Sequence, residues 1–322
     1  MMKASIRNLL FVLLAAMLSQ VSLAPAQAQT PVPVPNTQSG APVWDGESRF
    51  TMLLMGMDRR PNARDTLSVR ADAIFLVSLV PGETPDQNRV GILHIPRDLH
   101  FTPVNTADFV RVNSLMVLGE EVQEGYGPYY MMDTIQYNLG MVIHRYVAFD
   151  FEAFITLVDA IGGVEVSIGY TINDSTFPDM NYGYDPFYLP AGTHLLDGRR
   201  ALQFARTRHN DNDFERGRRQ LQVLTSIHQK ITQDGMMMQL VAQAPALYDD
   251  LRDKFYSDLA LSDMLQIAQF ISETPAANIT ADVIDADYAM RYGLPEGEVL
   301  IPDFATIGEL MTTVFGDDYF VR

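Results

Sequence analysis

The chain has 322 residues, 47% hydrophobic and 20% charged, which suffices for one large core or two small ones and falls short of a multidomain assembly. Asp and Glu outnumber Lys and Arg by 40 to 23, and the resulting net charge of -17 opposes binding to nucleic acid or an anionic surface unless basic residues are concentrated in one place. Cysteine is absent, which excludes disulfides, zinc-thiolate sites and thiol nucleophiles.

At the N-terminus Lys3 and Arg7 precede an apolar run from Leu9 to Leu18, and the small-residue stretch Ala24-Pro25-Ala26-Gln27-Ala28-Gln29 follows. This is the layout of a signal peptide over residues 1–28, with Ala26-x-Ala28 as its cleavage site. Ser19, Gln20 and Ser22 interrupt the run before it reaches the roughly 20 apolar residues that span a bilayer. An uncleaved membrane anchor is the alternative. Either way the rest of the chain is expected to be exported to the cell surface or beyond, and to stay membrane-associated if the segment is retained. Residues 29–44 hold TPVPVPNTQSGAP, too poor in large side chains to bury anything, and read as an extended linker. One domain is expected over 45–322.

Strands are expected at Phe50 to Leu54, Ala73 to Leu79, Val90 to Ile95, Val164 to Ile168 and Ile279 to Ile284, several with the consecutive apolar positions of a sheet covered on both faces. Helical periodicity fits Met131 to Leu139, Phe151 to Ile161, Asp197 to Ala205, Asp213 to Ile231 and Leu261 to Ile271. Interspersed strands and helices predict a layered α/β fold. The aromatic segment DMNYGYDPFY reads as a connecting loop, with a lid as the sharper alternative.

The chemistry concentrates in LDGRRALQFARTRHNDNDFERGRRQLQVL, Leu196 to Leu224, which carries seven arginines. With Asp213 as the expected N-cap, Arg216, Arg219 and Gln220 share one face of the first turn of the following helix. Forked guanidinium groups, backbone N–H groups and the helix dipole there make an anion site suited to phosphate. Arg70-Ala71-Asp72 stands before the strand AIFLVSL, His94-Ile95-Pro96-Arg97-Asp98 follows VGIL, and Asp58 follows LLMGM. Charged groups at strand ends are placed where open α/β sheets bind ligands. Carboxylates among arginines suggest phosphate clamped by Arg, with a hard divalent cation on Asp. Walker A, dinucleotide-binding, Gly-x-Ser-x-Gly and His-Glu-x-x-His patterns are missing. His209, the other histidine near these arginines, reads as a spectator.

The ordered set LLMGMDRR, VRADAIFLVSL, VGILHIPRD, RVNSL, FDFEAFITLVDAIGGVEV, the arginine segment above and FYSDLALSDMLQIAQFI resembles the LytR-CpsA-Psr (LCP) cell-wall glycopolymer ligases over nearly all of the exported part. The resemblance implies a three-layer α/β/α sandwich with a central mixed sheet and an apolar pocket for a polyprenyl tail. It also implies that Arg70, Arg97, Arg111, Arg206, Arg208, Arg216, Arg219 and Gln220 contact or shape a pyrophosphate site. By the same resemblance Asp58 and Asp72 hold Mg2+, and Asp98 and Asp213 orient these groups or assist proton transfer. His94 stands where the family often has Ser, and Arg111 where it often has Lys. The implied activity is transfer of a phosphorylated glycopolymer from a polyprenyl-pyrophosphate carrier to peptidoglycan. Contact with the membrane surface is then made through the lipid substrate, with no nucleic-acid partner. Hydrolysis of the pyrophosphate, and carrier binding without turnover, are the competing readings. A polyprenyl substrate further calls for an elongated apolar cavity beside Arg97 and Arg219, for which Phe151, Phe154, Ile155, Leu157, Val158, Leu221, Leu224 and Ile227 are the candidate lining. The same residues would equally fill a closed core.

Overall fold

A computed structural model describes residues 43–59, 67–179, 183–208, 212–233, 235–294 and 297–320. The expected signal peptide, most of the linker, Arg60 and His209 lie outside the described residues. In chain order the elements are β1 (Phe50–Met57), β2 (Ala71–Val80), β3 (Arg89–His94), β4 (His100–Phe101), β5 (Val110–Arg111), α1 (Leu115–Val122), α2 (Gly127–Leu139), β6 (Arg145–Phe149) and α3 (Phe151–Ala160). There follow β7 (Val164–Ile168), β8 (Ile172–Asp174), β9 (Phe187–Leu189), β10 (Gly192–Leu196), α4 (Gly198–Arg206), α5 (Asp213–Ile231), α6 (Met236–Leu251), β11 (Phe255–Ser257), α7 (Leu261–Glu273), β12 (Ile279–Val283), β13 (Ala289–Leu294), β14 (Gly297–Pro302) and α8 (Ile307–Phe315).

Six strands form the central sheet in the order β11-β6-β1-β2-β3-β12. It is mixed: β1 and β6 run parallel, as do β3 and β12, while β2 runs antiparallel to both of its neighbours. Period-two alternation sorts the side chains between two cores. Leu53, Met55 and Met57 of β1, with Ile74 and Leu76 of β2, pack against Met131 and Ile135 of α2 and Leu310 and Met311 of α8. Met52, Phe75, Val77 and Leu79 face the other way, onto Leu221 of α5 and Ile267 and Phe270 of α7. The expected three-layer α/β/α sandwich is therefore the fold. Met131 and Met132 belong to the first core.

One expected strand is placed differently. Val164–Ile168 lies outside the central sheet and pairs with β10 as a two-stranded ribbon, and β6 and β11, among the strands the sequence left unassigned, extend the central sheet beside β1 instead. A third core forms around that ribbon from Val158, Ile161, Val164, Phe177, Phe187, Phe204 and Val223. Helices α3 and α4 meet closely within it. A Cβ on Gly198 would come within 2.3 Å of the Ile155 carbonyl, so the first turn of α4 tolerates only glycine at this point.

Candidate functional site

Strand directions gather the first three site residues. β1 and β3 end, and the antiparallel β2 begins, at one edge of the sheet, which brings Asp58, Asp72 and Arg97 together. The register slips between Gly56 and Met57, and the Asp58 N–H donates to the Arg70 carbonyl at 3.0 Å. After β3 the chain stays bonded to the sheet, the Ile95 N–H donating to the Ile74 carbonyl at 2.9 Å, and then turns out at Arg97. Arg97 Nη1 donates to Asp72 Oδ2 at 2.5 Å, and Asn113 Nδ2 reaches Asp72 Oδ1 at 3.4 Å.

The N-terminus of α5 supplies the rest. Its N-cap is Asn212, not Asp213: the Asn212 carbonyl oxygen of the side chain accepts from the N–H groups of Phe214 and Glu215, both at 3.0 Å. That frees the Asp213 carboxylate, one residue on, to gather arginines. Arg216 grips it with both terminal nitrogens at 2.9 Å, Arg208 lies 3.6 Å away and Arg97 Nε 3.8 Å away. Arg216 is 3% exposed, and burial first, then the charges of Arg208 and Arg97, push its guanidinium down to about 10 against the pull of Asp213 and Asp72. It remains a cation at neutral pH. Among the described residues, the buried Nε atoms of Arg97 and Arg216 have no hydrogen-bond partner.

These groups open onto a cavity of about 500 Å3. Asp58, Asp72, Arg97, Arg206, Arg208, Arg216 and Gln220 line it, as does an aromatic wall of Phe75, Phe149, Phe151, Phe154 and Phe177. Arg206 lies where the two surfaces meet, its guanidinium 4.0 Å from the centroid of Phe151 and 5.6 Å from that of Phe177, a cation–π bracket. Of the expected apolar lining, Phe151, Phe154 and Leu224 are in place. Val158 and Leu221 sit in the cores, Leu157 is exposed, and Ile155 and Ile227 do not reach the cavity wall.

The remaining expected site residues are elsewhere. Arg219 is buried and turned from the cavity: Nε donates to the Phe204 carbonyl at 3.0 Å, Nη1 to the Tyr170 hydroxyl at 3.3 Å, and Nη2 to the Thr207 carbonyl. It brackets the end of α4 to α5, because position i+3 on a helix shares a face with Arg216 but sits one turn deeper. Asp98 and Arg111 do not line the cavity, but Asp98 stays beside the cluster, 3.6 Å from Arg111 and 3.8 Å from Arg97 Nε; Arg70 is exposed and does not line the cavity. Sequence reasoning missed the carboxylates Asp150 and Asp174, both lining the cavity. Asp150 caps α3 by accepting from the Ala153 N–H at 3.0 Å, and Asp174 accepts from the Thr207 hydroxyl at 2.8 Å. The Asp-Phe pair at the start of α3 was the available signal for the first. Phe177 and Pro178, which contribute to the wall, immediately precede the segment read as a connecting loop; within that segment Asp185 donates its N–H to the Phe177 carbonyl at 2.8 Å, and its Oδ2 accepts from Arg199 at 2.8 Å and Gln203 at 2.9 Å, both on α4.

Magnesium takes one or two carboxylates and completes its shell with water and substrate phosphate. Among the described residues no group of three or more His, Asp or Glu is placed to hold a metal unaided. Asp58 and Asp72 are hard oxygen donors on neighbouring strand ends of one cavity wall, a pair that fits an ion sharing its ligands with a phosphate.

Comparison with known proteins agrees with this architecture. Residues 16–297 match the LytR_cpsA_psr family. The chain is 27% identical over 220 residues to a polyisoprenyl-teichoic acid–peptidoglycan teichoic acid transferase, TagU, of Halalkalibacterium halodurans, covering 68% of this chain and 64% of that protein. It is 28% identical over 233 residues to the transferase TagT of Bacillus subtilis, covering 70% of this chain and 65% of the relative. The chain thus spans just under two thirds of the length of these relatives. The crystal structure of B. subtilis TagV superposes with a TM-score of 0.66 at 20% identity, over 86% of this chain and 99% of that one. Motif order, mixed sheet and family match agree, and the chain belongs to the LytR-CpsA-Psr family.

Proposed function

We propose that this chain is a phosphotransferase that moves a phosphorylated glycopolymer from a polyprenyl-pyrophosphate carrier to peptidoglycan. The observation that carries the reading is the junction at Arg206: one cavity joins an aromatic wall to a cluster of arginines, the two environments that a hydrocarbon tail on a diphosphate needs side by side. The names of the related teichoic acid transferases support it.

In the proposed reaction an acceptor hydroxyl oxygen attacks the glycan-bearing phosphorus, the bond from that phosphorus to the bridging oxygen breaks, and polyprenyl phosphate leaves. The hydroxyl proton passes to a base. Such a step depends on positioning and on neutralising phosphoryl oxygens. Arg97, Arg208 and Arg216 supply the positive charge. Asp213, held by all three, keeps them converged. Mg2+, when bound by Asp58 and Asp72, would add charge neutralisation on the diphosphate.

The test is incubation with a labelled polyprenyl-pyrophosphate glycan, with and without peptidoglycan. Acceptor-dependent release of polyprenyl phosphate is expected. Equal release without acceptor would make the enzyme a hydrolase, and no turnover in either arm would leave it a carrier-binding protein. Excess chelator should depress transfer, as should Asp58→Asn. Full turnover in chelator would remove the metal. Export is proposed through cleavage after Ala28, so N-terminal sequencing of secreted protein should begin at Gln29. A retained Met1 in the membrane fraction would establish an anchor instead.

A further inference from the structure

His94 ends β3 directly beneath the first turn of α5 and is fully buried. Its ring packs edge-on against Phe75 at 5.2 Å. A Cβ on Gly217 would stand 2.6 Å from its Cε1 and Nδ1 atoms, so α5 can lie this close to the imidazole only with glycine there. His94 Nε2 is 3.1 Å from Gln220 Oε1, and Gln220 Nε2 donates to the Ala205 carbonyl at 3.2 Å.

The donor and acceptor roles in this chain follow from one fixed point. The Ala205 carbonyl can only accept, so the Gln220 nitrogen must face it and the Gln220 oxygen must face His94. His94 Nε2 must therefore carry the hydrogen. The other tautomer would leave a lone pair facing a lone pair and strand an N–H at Nδ1, which has no partner among the described residues. Burial first, then the charge of Arg216, holds the ring down to about 3, so it stays neutral across the working range with one hydrogen to place. Gln220 Nε2 has two hydrogens, and the contact with Ala205 uses one. Gln220 also lines the cavity, with Arg216 one turn away on the same helix.

We propose that His94 is a positioning residue, whose Nε2–H locks the Gln220 carboxamide so that its second N–H points into the cavity as a neutral donor to a diphosphate oxygen. The assignment of that oxygen rests on the phosphotransferase reading; the lock itself does not. A locked amide cannot turn its oxygen toward an approaching anion, and the cost of orienting it is met during folding and not at each turnover.

Two measurements test it. Nitrogen-15 shifts of His94 in the folded protein should show a protonated Nε2 and a bare Nδ1 from about pH 5 to pH 9. A protonated Nδ1 overturns the proposal whatever the activity of the preparation. In the transfer assay, His94→Leu should lower kcat by about tenfold with little change in KM, and His94→Gln, whose amide can still donate, should recover part of the loss. In a Gln220→Ala background the His94→Leu effect should shrink to less than about twofold. An undiminished effect in that background, or equal losses for His94→Leu and His94→Gln, overturns it. Absence of wild-type transfer would count against the phosphotransferase reading alone, since the nitrogen shifts still decide the lock.

Discussion

Arg97→Ala is expected to lower transfer by about 10²- to 10³-fold while leaving the fold intact, the loss associated with removing one preorganised charge from a phosphoryl site. Arg97 lines the cavity and spans three carboxylates, Asp72 at 2.5 Å and Asp98 and Asp213 each at 3.8 Å, so its loss removes a charge facing the substrate and loosens Asp213 together with Arg208 and Arg216. The stability cost should be small, about 1 kcal/mol, because Asp72 is a quarter exposed and water can replace the lost partner. Initial rates and thermal melts on one preparation check both halves. A folded variant with activity within about threefold of wild type would remove Arg97 from the site.

Arg219→Ala should do the opposite, destabilising the protein by about 3–5 kcal/mol. The Phe204 and Thr207 carbonyls would be left without the donor that closes α4 onto α5, and a guanidinium-sized void would open in a place that is 4% exposed. Activity would fall as the folded fraction falls. Chemical denaturation measures the effect directly, and a loss below about 1 kcal/mol together with abolished transfer would return Arg219 to the role of phosphate ligand.

These two arginines show where sequence reasoning reached its limit. The start and end of α5 were legible to the residue, because an Asx pair precedes a long amphipathic run; which of the pair caps was not, since Asn212 and Asp213 are equally good caps. Period-3.6 logic put Arg216 and Arg219 on one face and said nothing of depth, which depends on where α4 crosses. The sandwich was readable from the apolar strands β1, β2 and β3. The pairing of β6 was not, because Arg145–Phe149 is short, begins with a charge and joins β1 across a long stretch of sequence. Asp58, Asp72 and Arg97 were found because each abuts a strand end. Most of the aromatic wall was missed because Phe75, Phe149 and Phe177 come from three separate elements and share no spacing.

The cavity also lies on a seam in the protein's architecture. Phe75 and Leu224 on its wall belong to the core under the central sheet, whereas Phe154, Phe177 and Val223 belong to the core around the β7–β10 ribbon, and α5 runs through both. Helix α5 ties the two cores into one compact unit, and opening along the line where they meet would expose the aromatic wall. A bound hydrocarbon chain would act as mortar in that joint. At a hundredfold excess over its dissociation constant it would add about 2.7 kcal/mol against separation, slowing amide exchange in α3 and α4 more than in the sheet. On the proposed function the carrier would thus be a component of the folded state as much as a passenger, and the empty protein the more readily degraded form.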